Sequence, residues 1–383
     1  MRAAGLLLIV VGCGFSPSAT GDAASGGSSD APPGDDGGSG SGSGSGSNGS
    51  NGEMARRKPI TIHAAAVTGT QTDFPIWIDL NDADIAARAR TDGTDILFTN
   101  ANGAALDHEI QRWDPVAPRL QAWVRVPSLA HADLKIYVEY GDLERATAPN
   151  PASVFRASFA AVWHLEDTVA SNTIADATGT HAGTPMDLPS NAQVGAKLGG
   201  GLAFDGGDGQ IAFANPLTGN TAHTISAWVE QEQTTHTSSI VCVGTGNTDQ
   251  ARFLYGRYGT GATVGVGQYN DDWQANNDIE GAGWVLVHWV HEGNNKKVHI
   301  FRNGVEIAGS PHMFGSAPTT AGTTGLIGNA PSPGFGSANG MAGKLDEVRI
   351  ATVTRDPSWI ATEFANQSSP GTFYAVGPEE VAP

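Results

Sequence analysis

Apolar and polar residues alternate along much of the chain beyond residue 54, in short runs separated by glycine, proline and asparagine. From Phe74 to Leu80 every second residue is large and apolar, which would place one face of a strand in a core. Pro75 restricts that strand to a start or a sheet edge. Because a period of two with frequent turn signals is typical of sandwiches, the pattern predicts an all-β fold with two antiparallel β-sandwich domains.

Two segments interrupt the alternation and predict short helices. The first covers residues 84–90. The second follows Asp356, a suitable N-cap, and Pro357, which suits the first helical position; apolar residues then share one side as far as about Asn366. This short C-terminal helix is followed by residues 372–376, which predict a returning strand.

Residues 1–12 have the features of a signal peptide. Arg2 precedes an uncharged stretch, residues 3–12, that is too short for a helix crossing a bilayer of about 30 Å. The sequence VVGC at 10–13 resembles the lipobox of bacterial lipoproteins, which implies cleavage before Cys13 and a lipid anchor on that cysteine. Gly14 replaces the aspartate that retains such proteins at the inner membrane, which favours the outer membrane and cell surface. The alternative is an ordinary secretory signal with a chance cysteine.

Residues 13–53 are predicted to be a disordered tether. They lack apolar periodicity, and residues 37–52 consist only of glycine, serine and asparagine. Such a segment buries too little apolar surface to offset the entropy lost on ordering. A flexible chain of this length spans roughly 35 Å, enough to hold folded domains clear of lipid headgroups.

Composition excludes one class of partner and restricts another. The formal net charge is −18 and no basic cluster is present, so nucleic acid is not an expected partner. The same charge repels anionic headgroups, so membrane attachment is expected to be covalent. Once Cys13 is acylated, Cys242 has no partner in the chain; it lies in an apolar run and is predicted to be a buried, inert thiol.

The first folded domain is predicted over residues 54–148. It contains, in order, RKPITI at 57–62, DGTDILFT at 92–99, EIQRW at 109–113, AWVRVP at 122–127 and IYVEYG at 136–141. This ordered set resembles a bacterial family, domain of unknown function 2341. The family has no established activity, so the resemblance implies no functional residue.

The second folded domain is predicted over residues 154–377. Its motifs are HLE at 164–166, an Asp/Gly/Thr loop at 176–183, FDG at 204–206, ISAW at 225–228, NGV at 303–305 and LDEVRI at 345–350. Their order resembles the laminin-G-like, concanavalin-A-like jelly roll. The resemblance implies two antiparallel sheets packed face to face, one with a concave face.

Many laminin-G-like domains bind calcium, a hard cation that prefers oxygen ligands in acidic loops. The residues that fit this role here are Asp176, Asp205, Asp208 and Asp346. The alternative interpretation is that these aspartates shape turns, with Asp346 a structural residue of its strand.

Glycan binding usually requires an aromatic platform beside polar groups. Trp273 lies in a polar stretch, residues 269–278, that is expected to form a loop. The candidate ligand contacts are Trp273, Tyr258, Tyr269, Asp271 and Asp272. The alternative is a loop tryptophan that covers the edge of the core.

No recognised catalytic pattern is present. A glycosidase needs two carboxylates across a cleft, about 5–9.5 Å apart, and Asp346 and Glu347 are adjacent, so alternation predicts that they face opposite sides. The sequence therefore predicts a non-catalytic, surface-tethered protein that binds glycan or another extracellular polymer. The alternatives are a structural or adhesion protein that contacts other proteins, and a polysaccharide hydrolase with an unrecognised site.

Overall fold

A computed structural model describes residues 54–142, 144–145, 149–156, 158–259, 261, 263–330 and 339–383. These residues belong to one compact unit, and strands dominate it, which confirms the all-β prediction. Across this part of the chain, no helix has both the length and the apolar character that crossing a bilayer requires. The predicted signal peptide, Cys13 and the tether lie outside the described residues.

The first sandwich begins with six strands in two antiparallel sheets. One sheet has the order β2-β5-β4, and the other contains β1-β6-β3. The strands are β1 (Arg56–Ile62), β2 (Gln71–Asn81), β3 (Leu97–Asn100), β4 (His108–Asp114), β5 (Arg119–Leu129) and β6 (Leu134–Tyr140). The alternate apolar residues of β2 are buried, and Pro75 lies on an edge strand, as the pattern predicted.

The second sandwich is a jelly roll with two facing sheets. Its strands are β7 (Phe159–Trp163), β8 (Thr184–Met186), β9 (Gln193–Ala196), β10 (Gly199–Asp205), β11 (Gln210–Ala214), β12 (His223–Gln231), β13 (Ser238–Gly244), β14 (Ala251–Arg257), β15 (Gly265–Gly267), β16 (Asp272–Gln274), β17 (Trp284–His291), β18 (Lys297–Arg302), β19 (Val305–Glu306), β20 (His312–Met313), β21 (Thr324–Ile327) and β22 (Ala342–Ala351).

The two sheets enclose an apolar core that runs from Ala161 to Ile350 in sequence. We call the sheet with the order β16-β15-β14-β13-β21-β11-β8 the front sheet. The back sheet has the order β19-β18-β17-β12-β22-β10-β9, with β20 beside β18 and β7 beside β22.

Helices occupy short stretches within the first sandwich, between the sandwiches and after the jelly roll. They are α1 (Ala83–Arg88), α2 (Pro151–Val154), α3 (Pro357–Ser368) and α4 (Pro370–Phe373), with 3₁₀ turns at Ala64–Ala66, Val169–Ser171 and Gly293–Asn295. The carboxylate of Asp356 accepts a hydrogen bond from the N–H of Trp359 at 2.8 Å, which confirms the predicted N-cap. Helix α3 ends at Ser368, two residues beyond the predicted end.

The C-terminal tail completes the first sandwich. Strands β23 (Tyr374–Val376) and β24 (Glu380–Val381) both pair antiparallel with β1. The predicted returning strand is confirmed over Tyr374–Val376, whereas residues 372–373 belong to α4, and the strand pairs with the first sandwich rather than with the jelly roll. The chain therefore crosses between the two sandwiches twice.

The two sandwiches share a buried apolar interface. Its residues come from the outer faces of β2, β5 and the back sheet, and from α2: Trp77, Trp123, Val154, Phe155, Val162, Ala177, Leu198, Trp228 and Leu286. Phe364 of α3 packs against this cluster. The outer face of the back sheet is therefore covered at β12 and β17, which leaves the front sheet as the jelly-roll face that the first sandwich does not cover.

Candidate functional site

One row of residues crosses the outer face of the front sheet. The strand registers align Cys242 with Phe253, Phe253 with Gly267, and Gly267 with Asp272. Neighbours on these strands, such as Leu254, point into the core, so alternation directs the row outward. Cys242 is buried within this row, and burial raises the pKa of its thiol, which supports the predicted inert cysteine.

Two half-buried tyrosines pack over this face. The ring of Tyr258 lies 4.8 Å from that of Tyr255, and the ring of Tyr269 lies 6.3 Å from that of Phe253, measured between centroids. The hydroxyl of Tyr258 donates a hydrogen bond to Asp272 at 2.5 Å. Burial and this hydrogen bond raise the pKa of Tyr258. The structure thus brings together three predicted contact residues, Tyr258, Tyr269 and Asp272. We call these three residues and the two glycines of β15, Gly265 and Gly267, the tyrosine face.

Glycines form the floor of the tyrosine face. Gly265 and Gly267 of β15 both direct their missing side chains outward, between the aromatic residues of β14 and the polar residues of β16. A Cβ atom on Gly267 would collide with the Asp272 carboxylate and lie 3.3 Å from the ring of Phe253. Both glycines are buried, and their lack of side chains leaves room for Tyr258 and the Asp272 carboxylate to pack over β15.

Trp273 and Asp271 do not join the tyrosine face. Because Trp273 sits between two outward residues of β16, its indole faces the other way, packs against the core and stacks on His312 at 5.0 Å. The carboxylate of Asp271 accepts a hydrogen bond from the N–H of Gly315 at 2.7 Å. The five predicted ligand contacts therefore divide between two locations.

Two of the predicted calcium ligands have structural roles. Both carboxylate oxygens of Asp176 accept backbone N–H groups, largely from the loop that follows it. Asp346 is buried and accepts a hydrogen bond from the N–H of Leu198 at 2.7 Å. Burial and the charge of Glu347 raise the pKa of Asp346 well above its usual range, which disfavours the charged form that a calcium ligand needs.

The other two candidates lie in an exposed turn after β10. Asp205 accepts a hydrogen bond from the N–H of Gly207 at 2.9 Å, and Asp208 is exposed nearby. Among the residues that the structure describes, no group of three or more His, Cys, Asp or Glu side chains is arranged to hold a metal ion. Calcium binding therefore stays a prediction, without a shared site for these four aspartates.

Asp346 and Glu347 lie on the same face of β22, so the prediction of opposite faces is wrong. The register between β22 and β12 shifts at this point, and Glu347 has a φ of +51°. Such a bulge adds one residue to the strand and interrupts its alternation. Leu345 and Val348 on either side point into the core, while both carboxylates lie on the outer face, where Asp346 contacts Leu198 and Glu347 contacts His164.

A junction network of ionisable side chains joins the two sandwiches there. Its members are Glu109, His164, His288, Glu347, Arg349 and Glu363. Burial would lower the pKa of His164, but the charges of Glu347 and Glu109, at 2.6 and 3.2 Å from its ring nitrogens, raise it well above the usual value. This raised pKa favours the protonated imidazole, which links the motif HLE of the jelly roll to the first sandwich.

A concave site that the sequence did not reveal opens at the edge of the back sheet. It is a cleft of about 390 Å³ whose lining includes Glu292, His299, Glu306 and Arg355. The ring nitrogens of His299 lie 2.7 Å from a carboxylate oxygen of Glu292 on one side and 2.7 Å from one of Glu306 on the other. The two hairpin turns that flank β18 bring both glutamates to His299, and these turns were the available sequence signal.

Family models match both folded segments. Residues 92–168 match the domain of unknown function 2341, and residues 205–361 match the concanavalin A-like lectin/glucanases superfamily. The first match extends beyond the first sandwich into β7, in keeping with the shared interface described above. No curated protein matches the chain.

Several solved structures resemble the fold. Domain 4 of AbnA, a GH43 extracellular arabinanase from Geobacillus stearothermophilus in complex with arabinotriose, is 22% identical, with 55% of this chain and 98% of that chain covered and a TM-score of 0.41. Trypanosoma rangeli sialidase is 14% identical, with 63% and 42% covered and a TM-score of 0.41. The binding domain of botulinum neurotoxin serotype D is 10% identical, with 57% and 53% covered and a TM-score of 0.40.

Likeness at these identities transfers neither a ligand nor an activity, and the chain spans less than half of the sialidase. The residues that the two family models match fall largely within the two sandwiches and in the same order along the sequence. The chain therefore contains one segment that matches the domain of unknown function 2341 and another that matches the concanavalin A-like lectin/glucanases superfamily.

Proposed function

We propose that the protein is a cell-surface lipoprotein that recognises glycan through the tyrosine face and does not cleave it. The observation that carries the proposal is the Tyr258–Asp272 pair above the glycine floor of β15. The concanavalin A-like domain supports it, because sugar binding is one of the activities for which that superfamily is named.

The chemistry of the tyrosine face suits a sugar ring. Apolar C–H faces of sugars pack on aromatic rings, while hydroxyl groups need hydrogen-bond partners. Tyr258 offers the ring, and Asp272 offers carboxylate oxygens whose position the tyrosine hydroxyl holds. Because this hydrogen bond exists before any ligand arrives, less conformational entropy is lost on binding. The same contact commits the Asp272 carboxylate to positioning, in keeping with recognition rather than hydrolysis.

A glycan array with the Cys13→Ser chain tests the binding proposal. Tyr258→Ala and Asp272→Asn should each weaken binding at least tenfold, since each removes one half of the pair. Tyr137→Ala is the matched control: this half-buried tyrosine lies on the first sandwich beneath Arg57, and its removal should leave binding unchanged.

Other results would redirect or overturn the proposal. Binding that survives Tyr258→Ala but disappears with Trp273→Ala would place the site beside Trp273. Binding that disappears with Glu306→Gln instead would place it in the cleft at His299. Binding that a chelator abolishes would add calcium as a cofactor. Turnover of a polysaccharide would contradict the non-catalytic proposal, and binding to proteins alone would favour adhesion.

The membrane anchor is a separate part of the proposal and rests on the lipobox at residues 10–13. Mass spectrometry of the mature protein should find the chain beginning at Cys13 with acyl chains attached. Cys13→Ser should release the protein from the membrane fraction. A mature chain that is unmodified at this cysteine would contradict the anchor without affecting the glycan proposal.

A further inference from the structure

One end of the jelly-roll core contains an unusual set of buried basic side chains. Arg252 of β14 is 1% exposed, and Leu254, two residues further on, points into the core, so alternation directs Arg252 between the sheets. His223 and His291 pair across β12 and β17 of the back sheet and are 4% and 2% exposed. Their rings stack at 5.2 Å.

The guanidinium of Arg252 lacks partners for most of its donors. Its Nη1 donates to the carbonyl oxygens of Ala251 and Asp249. Its Nε and Nη2 are buried and have no hydrogen-bond partner among the residues that the structure describes. The Asp249 side chain accepts the amide of Gln268 at 2.9 Å instead, and no ion pair to Arg252 occurs within the described ranges.

His291 adds a further donor without an acceptor. Its Nδ1 accepts a hydrogen bond from the N–H of Gly293 at 3.0 Å, so a neutral imidazole must carry its proton on Nε2. That Nε2 atom is buried, and no acceptor for it lies in the described part of the chain. His223 is oriented differently, because its Nδ1 lies 2.8 Å from the carbonyl oxygen of Thr221 and donates to it.

Burial lowers the pKa of Arg252 to about 9, and the charge of Asp249 opposes this shift only in part. Burial, and then the charge of Arg252, lower the pKa of His223 to about 4. Burial, followed by the influence of His223 and Arg252, lowers the pKa of His291 to about 2. Both histidines are therefore neutral near pH 7, and both respond to the guanidinium. Buried N–H groups without acceptors are rare in folded proteins, and a buried cation without a counter-charge is costly.

We propose that this end of the core binds a small inorganic anion, such as chloride, between Arg252 and His291. All the orphaned atoms of these two residues are N–H donors, so the missing partner is an acceptor. Water supplies an acceptor but no charge, whereas an anion supplies both. The side chains are at most 4% exposed, which excludes a sugar acid or another large anion.

Bromide replaces chloride and scatters anomalously, which allows a direct test on the unaltered site. Crystals of the Cys13→Ser chain soaked in sodium bromide should show an anomalous peak within hydrogen-bonding reach of Arg252 Nη2 and His291 Nε2. A site that contains only water at saturating bromide would overturn the proposal. This measurement needs no variant at the site, so it does not depend on whether such a variant folds.

A stability measurement gives an independent readout. Because an anion that binds only the folded state stabilises it, Tm should rise by a few degrees as chloride replaces gluconate at constant ionic strength. Arg252→Met should remove this dependence, while Arg112→Met, at an exposed arginine of the first sandwich, should retain it. A chloride effect of equal size in both variants would refute a site at Arg252.

Discussion

Replacing Arg349 with methionine tests how strongly the junction network holds the two sandwiches together. The guanidinium is 2% exposed and donates to Glu347 at 2.7 Å and to Glu363 at 2.9 Å. It also lies 4.4 Å above the ring of Trp123 from the first sandwich. Methionine has a similar length and apolar stem, so the substitution removes charge and hydrogen bonds while largely preserving volume.

The expected loss follows from the carboxylates that remain. Removing one partner of a buried ion pair costs about 3–5 kcal/mol, because the other charge stays buried without compensation. Glu347 retains His164 and Glu363 retains His288, so we expect the lower half of that range, about 3 kcal/mol. The lost contact with Trp123 adds up to about 2 kcal/mol, because both groups are buried.

Chemical denaturation followed by circular dichroism measures this loss. Lys344→Met is the matched control on the same strand: Lys344 pairs with Glu230 at 2.7 Å, but both side chains are about one-third exposed, at 34% and 30%. A surface pair of this kind contributes about 0–1 kcal/mol. If Arg349→Met and Lys344→Met destabilise the protein equally, burial does not govern the network and the reasoning is wrong.

Further predictions concern pH, the helix cap and the glycine floor. Burial would raise the pKa of Glu363, but the hydrogen bond from His288 and nearby positive charges lower it to about 2. The contribution of this carboxylate to folding stability is therefore complete above about pH 4.5 and lost as the pH falls toward 2. Unfolding curves of Glu363→Gln should lack this acid dependence. The pKa of His164 is raised, so its contribution to folding stability is present below about pH 6.5 and lost as the pH rises through its folded pKa. In His164→Gln this loss of stability with rising pH should be absent. Asp356→Ala should cost about 1 kcal/mol in thermal unfolding, and an unchanged Tm would contradict the cap. Gly267→Ala should lower Tm and glycan binding together through the collision with Asp272, at a cost of about 1–3 kcal/mol.

Local chemistry explains which elements could be predicted from the sequence. The alternation in β2 and the cap at Asp356 depend on neighbours within a few residues, and the structure has both. Tyr258 and Asp272 were individually recognisable as candidates for the same reason. Their contact depends on the register of β14, β15 and β16, which a single strand pattern does not contain.

Predictions were wrong or incomplete where distant segments decide the outcome. Glu347 leaves the alternation because a bulge forms against β12, far away in sequence. Trp273 lies in a polar stretch whose composition predicts a loop. Pairing with β15 nevertheless makes its segment a short strand and turns the indole inward. Predicting the cleft at His299 requires knowing how the two hairpins that flank β18 pack together.

The sequence by itself determined the strand-rich fold, the turns, the capped helix and both family resemblances, because each depends on side-chain periodicity or on short motifs. Only the tertiary structure decided that β23 and β24 complete the first sandwich, that LDEVRI supplies a buried ion network, and that Arg252 faces two histidines across the core. The physical reason is that strand pairing and charge burial join residues separated by hundreds of positions, and their energies exist only once the sheets have come together.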